Sequence, residues 1–261
     1  MHEKEPFDQN TLEKSPLAKR ILYQSNACVI VNKLQGEAME GAGPGMACMK
    51  SALAQVLAES ACGLPAHEKL VFPEAVHRID VPVTGCALFA LTKNALSFLS
   101  GAFADRENAI EKHYWAIAEK PQKAAAIEEK GELVHWISFD KAKNKSFAHN
   151  ESGAGRKKAV MRYRLAGEGE NYLFFEIQLF TGRHHQIRAQ FAKIGMHIKG
   201  DLKYGAKRSE KSGGIRLHAR SLSIPDPLSE KRIDVKAAPP VLDKLWEAFM
   251  DRLGMDFSKE G

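Results

Sequence analysis

Val76-His77-Arg78-Ile79-Asp80 runs through Val81-Pro82-Val83-Thr84-Gly85 into the apolar run Cys86-Ala87-Leu88-Phe89-Ala90-Leu91. An aspartate close to an arginine, on a loop that ends in glycine and feeds a buried strand, is a plausible catalytic arrangement. Taken alone, the same aspartate also fits a turn or helix cap. Downstream, Thr181-Gly182-Arg183-His184-His185-Gln186-Ile187-Arg188 is followed by Gly195-Met196-His197-Ile198-Lys199-Gly200-Asp201 and by Tyr204-Gly205. His77, His184, His185, His197 and His218 raise the question of a metal. However, H-x-x-D is no metal-binding spacing, and His184 and His185 as helix neighbours would point different ways, so no metal ion is expected.

The elements that must hold these segments follow from periodicity. Arg20 to Tyr23, a turn at Ser25-Asn26, and Cys28 to Val31 with Asn32-Lys33 read as two strands. Gly41-Ala42-Gly43-Pro44-Gly45 is not a phosphate loop, because no G-K-S/T follows it. A helix carrying Met49, Leu53, Val56 and Leu57 comes next, and Thr92 caps another through Leu96, Leu99 and Phe103. Strands are predicted at Lys112–Ala118, Leu133–Ile137, Ala159–Tyr163, Tyr172–Leu179, Arg216–Ile224 and Arg232–Val235. Ser152-Gly153-Ala154-Gly155 must turn.

His185 to Ile194 reads as a helix with Ile187, Phe191 and Ile194 facing the core, and Pro239-Pro240 opens a last helix with Leu242, Leu245, Trp246 and Phe249. Many strands, few helices and short connections predict an α+β fold: a mixed, largely antiparallel central sheet with flanking helices.

A chain of 261 residues can bury a sizeable core. We read residues 1–19 as an N-terminal extension, with a helical turn after Asn10-Thr11, and residues 20–261 as one catalytic domain. No apolar run approaches the ~20 residues of a membrane helix, and Met1 to Arg20 is charged throughout, unlike a signal peptide. Cys28, Cys48, Cys62 and Cys86 lack C-x-x-C spacing, which argues against a zinc ribbon and for reduced thiols in a cytoplasmic protein.

The net charge of +6 is segregated. Residues 141–165 hold eight Lys or Arg against one acid, and residues 181–220 hold ten against two, leaving the remainder net negative. Such stretches suit a polyanion partner. A solvated basic surface explains any single lysine about as well.

The two polar clusters give the chain a recognisable pattern. Val76 to Gly85 resembles the H-R-L-D-x-x-T-S-G signature of the RluA-type RNA pseudouridine synthases. Thr181 to Arg188 and Gly195 to Gly205 are similar to that family's T-G-R-T-H-Q-I-R and G-x-P-I-x-G-D-x-x-Y-G, and Lys112-His113-Tyr114-Trp115-Ala116 to its K-x-Y-x-A.

The resemblance spans roughly residues 20 to 238 and implies a long central sheet whose cleft isomerises uridine to pseudouridine without a cofactor. It implies Asp80 as catalytic carboxylate, Arg188 as its charge partner, and Tyr114 stacked on the base or handling a proton. Arg78 would fill the place of the extruded nucleotide or hold a flanking phosphate. His77 and Arg183 are further candidates for substrate contact. Leu217 takes a position near the site that core packing explains nearly as well.

Three departures stand out: Val83-Thr84 for T-S, His184 for threonine, and Met196-His197 for x-P. They bear on loop geometry and substrate fit. The family often carries an N-terminal S4 module, for which the residues before the first strand leave no room. The expected partner is therefore RNA, ribosomal or transfer, gripped by the basic stretches of a monomeric catalytic domain. A catalytically silent RNA-binding protein is the alternative. Glycoside hydrolysis would need a second carboxyl ~5–9.5 Å away, for which no clear partner of Asp80 is visible.

Overall fold

The computed structural model describes residues 16–41, 48–60, 73–105, 110–121 and 127–255. The helical turn expected after Asn10, most of the Gly41–Gly45 segment and Cys62 lie outside them. Among the described residues, the chain forms twelve strands and four α-helices. β1 (Ile21–Gln24) and β2 (Cys28–Lys33) form a hairpin, followed by α1 (Met49–Ser60), β3 (Glu74–Ala75), β4 (Thr84–Ala90) and α2 (Lys93–Ala104). β5 (Glu111–Glu119), β6 (Lys130–Asp140), β7 (Lys145–His149), β8 (Lys157–Glu168) and β9 (Tyr172–Leu179) precede α3 (Gln186–Lys193) and β10 (His197–Ile198). β11 (Leu217–Pro225), β12 (Arg232–Lys236) and α4 (Lys244–Arg252) complete the order.

The strands join in one sheet, ordered β1-β2-β4-β11-β5-β9-β8-β6-β7, with β3, β10 and β12 paired at its margins. β4 and β11 run parallel through Thr84–His218 and Gly85–Ala219, whereas the other pairings are antiparallel. The expected α+β architecture is therefore the observed one. β6 and β8 exceed the runs predicted from hydrophobicity, because their polar ends pair with each other from Lys130–Arg164 to Ile137–Lys157. Backbone pairing extends them where no apolar pattern is required.

Alternation along the strands divides the core. Tyr114, Ala116, Phe175 and Ile177 join α1 and α3 on one face, while Trp115, Ile117 and Phe174 meet Trp246 and Phe249 of α4 on the other. Leu99 of α2 packs with Cys28, Ile30, Cys86 and Leu88. Thr92 caps α2 by accepting from the Ala95 amide at 3.1 Å, as its position predicts. Cys28, Cys48 and Cys86 are free thiols.

Two helix boundaries differ from expectation. The last helix starts at Lys244 rather than at Pro239-Pro240, because the Asp243 carboxylate accepts from the amides of Leu245 and Trp246 and caps it there. Leu242 therefore precedes the helix and packs from outside it. Ile194 does not face the core: α3 ends at Lys193, the chain reverses at Gly195 (φ 77°), and Met196 takes the buried place.

Candidate active site

The Asp80 loop is fixed through its own carbonyls. Val83 N–H donates to Asp80 O at 3.0 Å, Gly36 N–H to Val81 O at 2.8 Å, and Ile215 N–H to Pro82 O at 3.1 Å. Lys33, wholly buried at the end of β2, adds Nζ contacts to Val81 O (3.1 Å), Val83 O (2.7 Å) and Leu34 O (2.9 Å). Burial pulls the Lys33 ammonium down to about 7, opposed by the charges of Glu37 and Asp80. In the sequence, Lys33 reads only as the end of the second strand. An unpaired-looking lysine ending an apolar strand is the signal that could have flagged it.

Gly85 closes the loop. Its φ of +112° disfavours a side chain, and a Cβ there would stand 2.2 Å from Ala219 O across the parallel β4–β11 contact. The neighbouring departure Thr84 is accommodated by His218. The His218 Nε2–H donates to Ala237 O at 2.9 Å, which leaves Nδ1 to accept from the Thr84 hydroxyl at 2.8 Å.

The second cluster is also built from polar side chains turned inward. Buried Gln186 accepts from the Thr181 hydroxyl (2.7 Å) and from Arg183 N–H (3.0 Å), and its amide donates to Val160 O (3.2 Å). His185 enters α3 in the left-handed region at φ 51°. That strained conformation is held where the His185 carbonyl accepts from Ala189 N–H and Nδ1 meets the Tyr204 hydroxyl at 2.9 Å. His184 and His185 do not diverge as helix neighbours would. Both precede the helical turns, and their rings stack with centroids 3.8 Å apart.

Arg188 brings the two clusters together. Its Nη1 donates to Asp80 Oδ2 at 3.0 Å, while Nε and Nη2 form a fork on both oxygens of Asp201 at 2.6 and 2.8 Å. Asp201, 1% exposed at its side chain, was quoted in the sequence pattern but given no role. The Arg188 guanidinium also lies over the Tyr204 ring at 4.9 Å. These two carboxylates raise the Arg188 pKa against the opposing effect of burial, so its charge is permanent. Asp80 is the more open of the two acids, at 22%.

His185 Nε2 stands 3.6 Å from Asp80 Oδ2, yet burial and the neighbouring Arg188 charge hold its imidazole down at about 2. The contact is thus between a carboxylate and a neutral ring.

Asp80, Arg78, Ile79, His184, His185 and Arg188 separate two hollows of about 390 and 610 Å³. Tyr114, Leu217, Ile187 and Leu179 give the smaller one an apolar floor, whereas Asn144, Lys203, Met39 and Glu40 line the larger one. Burial and the charge of Asp80 push the Tyr114 phenol up, so it stays protonated and presents an aromatic face.

His77 lines the smaller hollow with its ring stacked on Phe103 at 5.0 Å. Its Nε2 accepts from Leu88 N–H at 3.1 Å, and burial holds the ring neutral with a pKa of about 3. Arg78 is exposed on the rim, and Arg183 Nε donates to Lys158 O at 3.0 Å beside the cleft. The third departure, His197, contacts Tyr204 O through Nδ1 at 2.6 Å.

Comparison with known proteins places the chain in a family. The RNA pseudouridylate synthase profile covers residues 27–193. The chain is 30% identical to an RNA pseudouridine synthase of Zymomonas mobilis, over 86% of this chain and 95% of that protein. It is 28% identical to the ribosomal large subunit pseudouridine synthase C of Vibrio cholerae (90% and 71%), and 30% identical to the tRNA pseudouridine synthase C of Haemophilus ducreyi (72% and 79%). In fold it resembles human RNA pseudouridylate synthase domain containing 4, with a TM-score of 0.68 at 22% identity over 92% of this chain and 95% of the other. The chain therefore belongs to the RNA pseudouridylate synthase family and is an RNA pseudouridine synthase of the RluA type.

Proposed function

We propose that this enzyme isomerises specific uridines in structured ribosomal or transfer RNA, with Asp80 as catalytic carboxylate, Arg188 as its ion-pair partner and Tyr114 stacking on the extruded base. The observation that carries the reading is the 3.0 Å contact of Arg188 with Asp80 at the mouth of a hollow floored by Tyr114. The reaction breaks the C1′–N1 bond, turns the uracil, joins C5 to C1′, and moves the C5 proton to solvent while N1 gains one. No electrons leave, so an ionised carboxylate, an aromatic surface and a charge partner suffice. Asp80 acts on the sugar or the base, and Arg188 holds its carboxylate through the Nη1 hydrogen bond while Asp201 keeps Arg188 in place. The apolar floor and the neutral His185 suit a flat uncharged base.

Arg78, exposed beside Asp80, is positioned to take the place of the extruded nucleotide or a flanking phosphate; His77 shapes the wall, and Arg183 borders the RNA path. Lys157 and Lys158, exposed at the start of β8, extend that path. Arg162 and Arg164 are paired with Glu132 and Glu176, and so contribute less than the sequence count suggests. If the path is right, Lys157→Ala/Lys158→Ala reduces the salt slope of RNA binding by about 2. An unchanged slope removes that segment from the interface.

The deciding experiment uses RNA labelled with tritium at uridine C5, taken from cells lacking the protein. Release by wild type and none by Asp80→Asn supports the assignment. Release by both removes Asp80 from the chemistry, and release by neither turns the reading toward RNA binding alone.

A further inference from the structure

From Asp80 a run of aromatic rings leads toward the surface. His185 lies 3.6 Å from Asp80, His184 stacks on His185, and Phe139 of β6 meets His184 at a centroid distance of 4.4 Å. The Ser146 hydroxyl holds His184 Nδ1 at 3.0 Å and so fixes the ring against the hairpin. Phe139 and Ser146 are cross-strand partners and share a face, and Phe139 is 48% exposed there.

A single exposed phenylalanine needs no explanation. This one ends a run of rings that starts at the proposed catalytic carboxylate. His184 is also the departure from the family signature, where threonine would provide no ring.

The surroundings narrow the occupant. The larger hollow joins Asp80 to His184, with Arg78, Asn144 and Lys203 on its walls. Lys141 and Lys143 are exposed at the tip of the β6–β7 hairpin, and of these Lys143 faces Asp140. A protein helix or a second copy would need a wide apolar patch, whereas the hollow beside these rings carries the Arg78 guanidinium, the Lys203 ammonium and the Asn144 amide, with Met39 and Glu40 also on its wall. An aromatic face with cations in the adjoining hollow suits a single-stranded nucleic acid, with the base on the ring and the phosphates on the cations. Burial holds the His184 pKa below its ordinary value, which favours a neutral plane over an ion pair.

We propose that His184 and Phe139 form a stacking subsite for a nucleobase flanking the uridine held against Tyr114, and thereby help to set the sequence context this enzyme accepts. The inference rests on the reading of the chain as acting on RNA, and its test has two arms.

The first arm measures fluorescence quenching of a short oligouridylate carrying one 2-aminopurine, placed in turn at each position. Wild type is expected to quench the probe at one flanking position, Phe139→Leu to lose that quenching, and Phe139→Trp to keep it. Phe147→Leu supplies the control: Phe147 is 38% exposed on the opposite face of the same hairpin and should quench as wild type does. Equal quenching by wild type and Phe139→Leu, or equal losses in Phe139→Leu and Phe147→Leu, overturns the subsite.

The second arm measures tritium release from the labelled RNA, where Phe139→Leu and His184→Ala should raise KM about tenfold with the deficit recovered at saturating RNA. Release by wild type with KM unmoved in both variants also overturns the subsite. Absence of release by wild type counts against the isomerase reading instead, and the quenching arm still decides whether a base stacks on Phe139.

Discussion

Asp201 grips Arg188 with two hydrogen bonds, at 2.6 and 2.8 Å, and leaves Nη1 to reach Asp80 at 3.0 Å. The buried acid thus orients the guanidinium that the more exposed acid uses. A planar fork suits this geometry because its donors are fixed relative to one another.

Asp201→Asn should lower kcat by roughly 10- to 100-fold with little change in KM, because Arg188 loses its orientation rather than its charge. It should also destabilise the fold by about 3 kcal/mol, since one partner of a buried pair is neutralised. Single-turnover tritium release and urea midpoints measure the two effects separately. Arg188→Lys is expected not to recover activity, because an ammonium lacks the fork.

Gly85→Ala tests the crossing of β4 and β11. A methyl group 2.2 Å from Ala219 O, on a residue with φ +112°, forces the parallel contact apart. A loss of more than about 3 kcal/mol is expected, read as a lowered urea midpoint or loss of soluble protein. Gly155→Ala is a control for positive φ alone, since a Cβ at that glycine would meet nothing within 4 Å.

Lys33→Met should slow the reaction by roughly 10- to 100-fold, because the carbonyls of Val81 and Val83 lose the donor that fixes the Asp80 loop. Stability supplies an independent readout. Lys33 titrates at about 7 in the fold against 10.5 for the free side chain, so the unfolded chain binds more protons between those values. This residue therefore makes stability rise with pH across that window. The difference in unfolding free energy between wild type and variant should move accordingly, and a difference independent of pH would contradict the assignment.

Acid should weaken the fold from about pH 6.5 downward. Burial holds His77 at about 3, His218 at about 4 and His185 at about 2, against 6.5 in the unfolded chain. The unfolded state takes up protons first, so stability is lost as pH falls. The wholly buried His218 alone should account for about 2 kcal/mol at pH 5. Glu210, held down at about 2 by Arg216 and Lys199, extends the same trend below 4.5. Urea midpoints at pH 7, 6 and 5 check the slope, and His218→Gln should flatten it.

The central elements were legible in the chain because their signals are local. Tyr172–Leu179 declares a strand by its apolar and aromatic run, Thr92 declares a helix start by its capping oxygen, and the glycine of Val83-Thr84-Gly85 marks a tight backbone passage. The two signature segments named Asp80 and Arg188 at a separation of 108 residues. Resemblance supplied that pairing, and periodicity could not have done so.

Other relationships depended on the assembled fold. Asp201 and Lys33 acquire partners only when loops and strands distant in sequence are packed together, and their burial sets how strongly each charge must be satisfied. His184 and His185 stack because the helix begins after them, which a helical wheel drawn from sequence places wrongly. Sequence by itself determined the residue types, the strand and helix periods and the family. Tertiary structure alone decided which donor meets which carbonyl and where Phe139 emerges beside the site, because those distances are summed over the whole path of the chain.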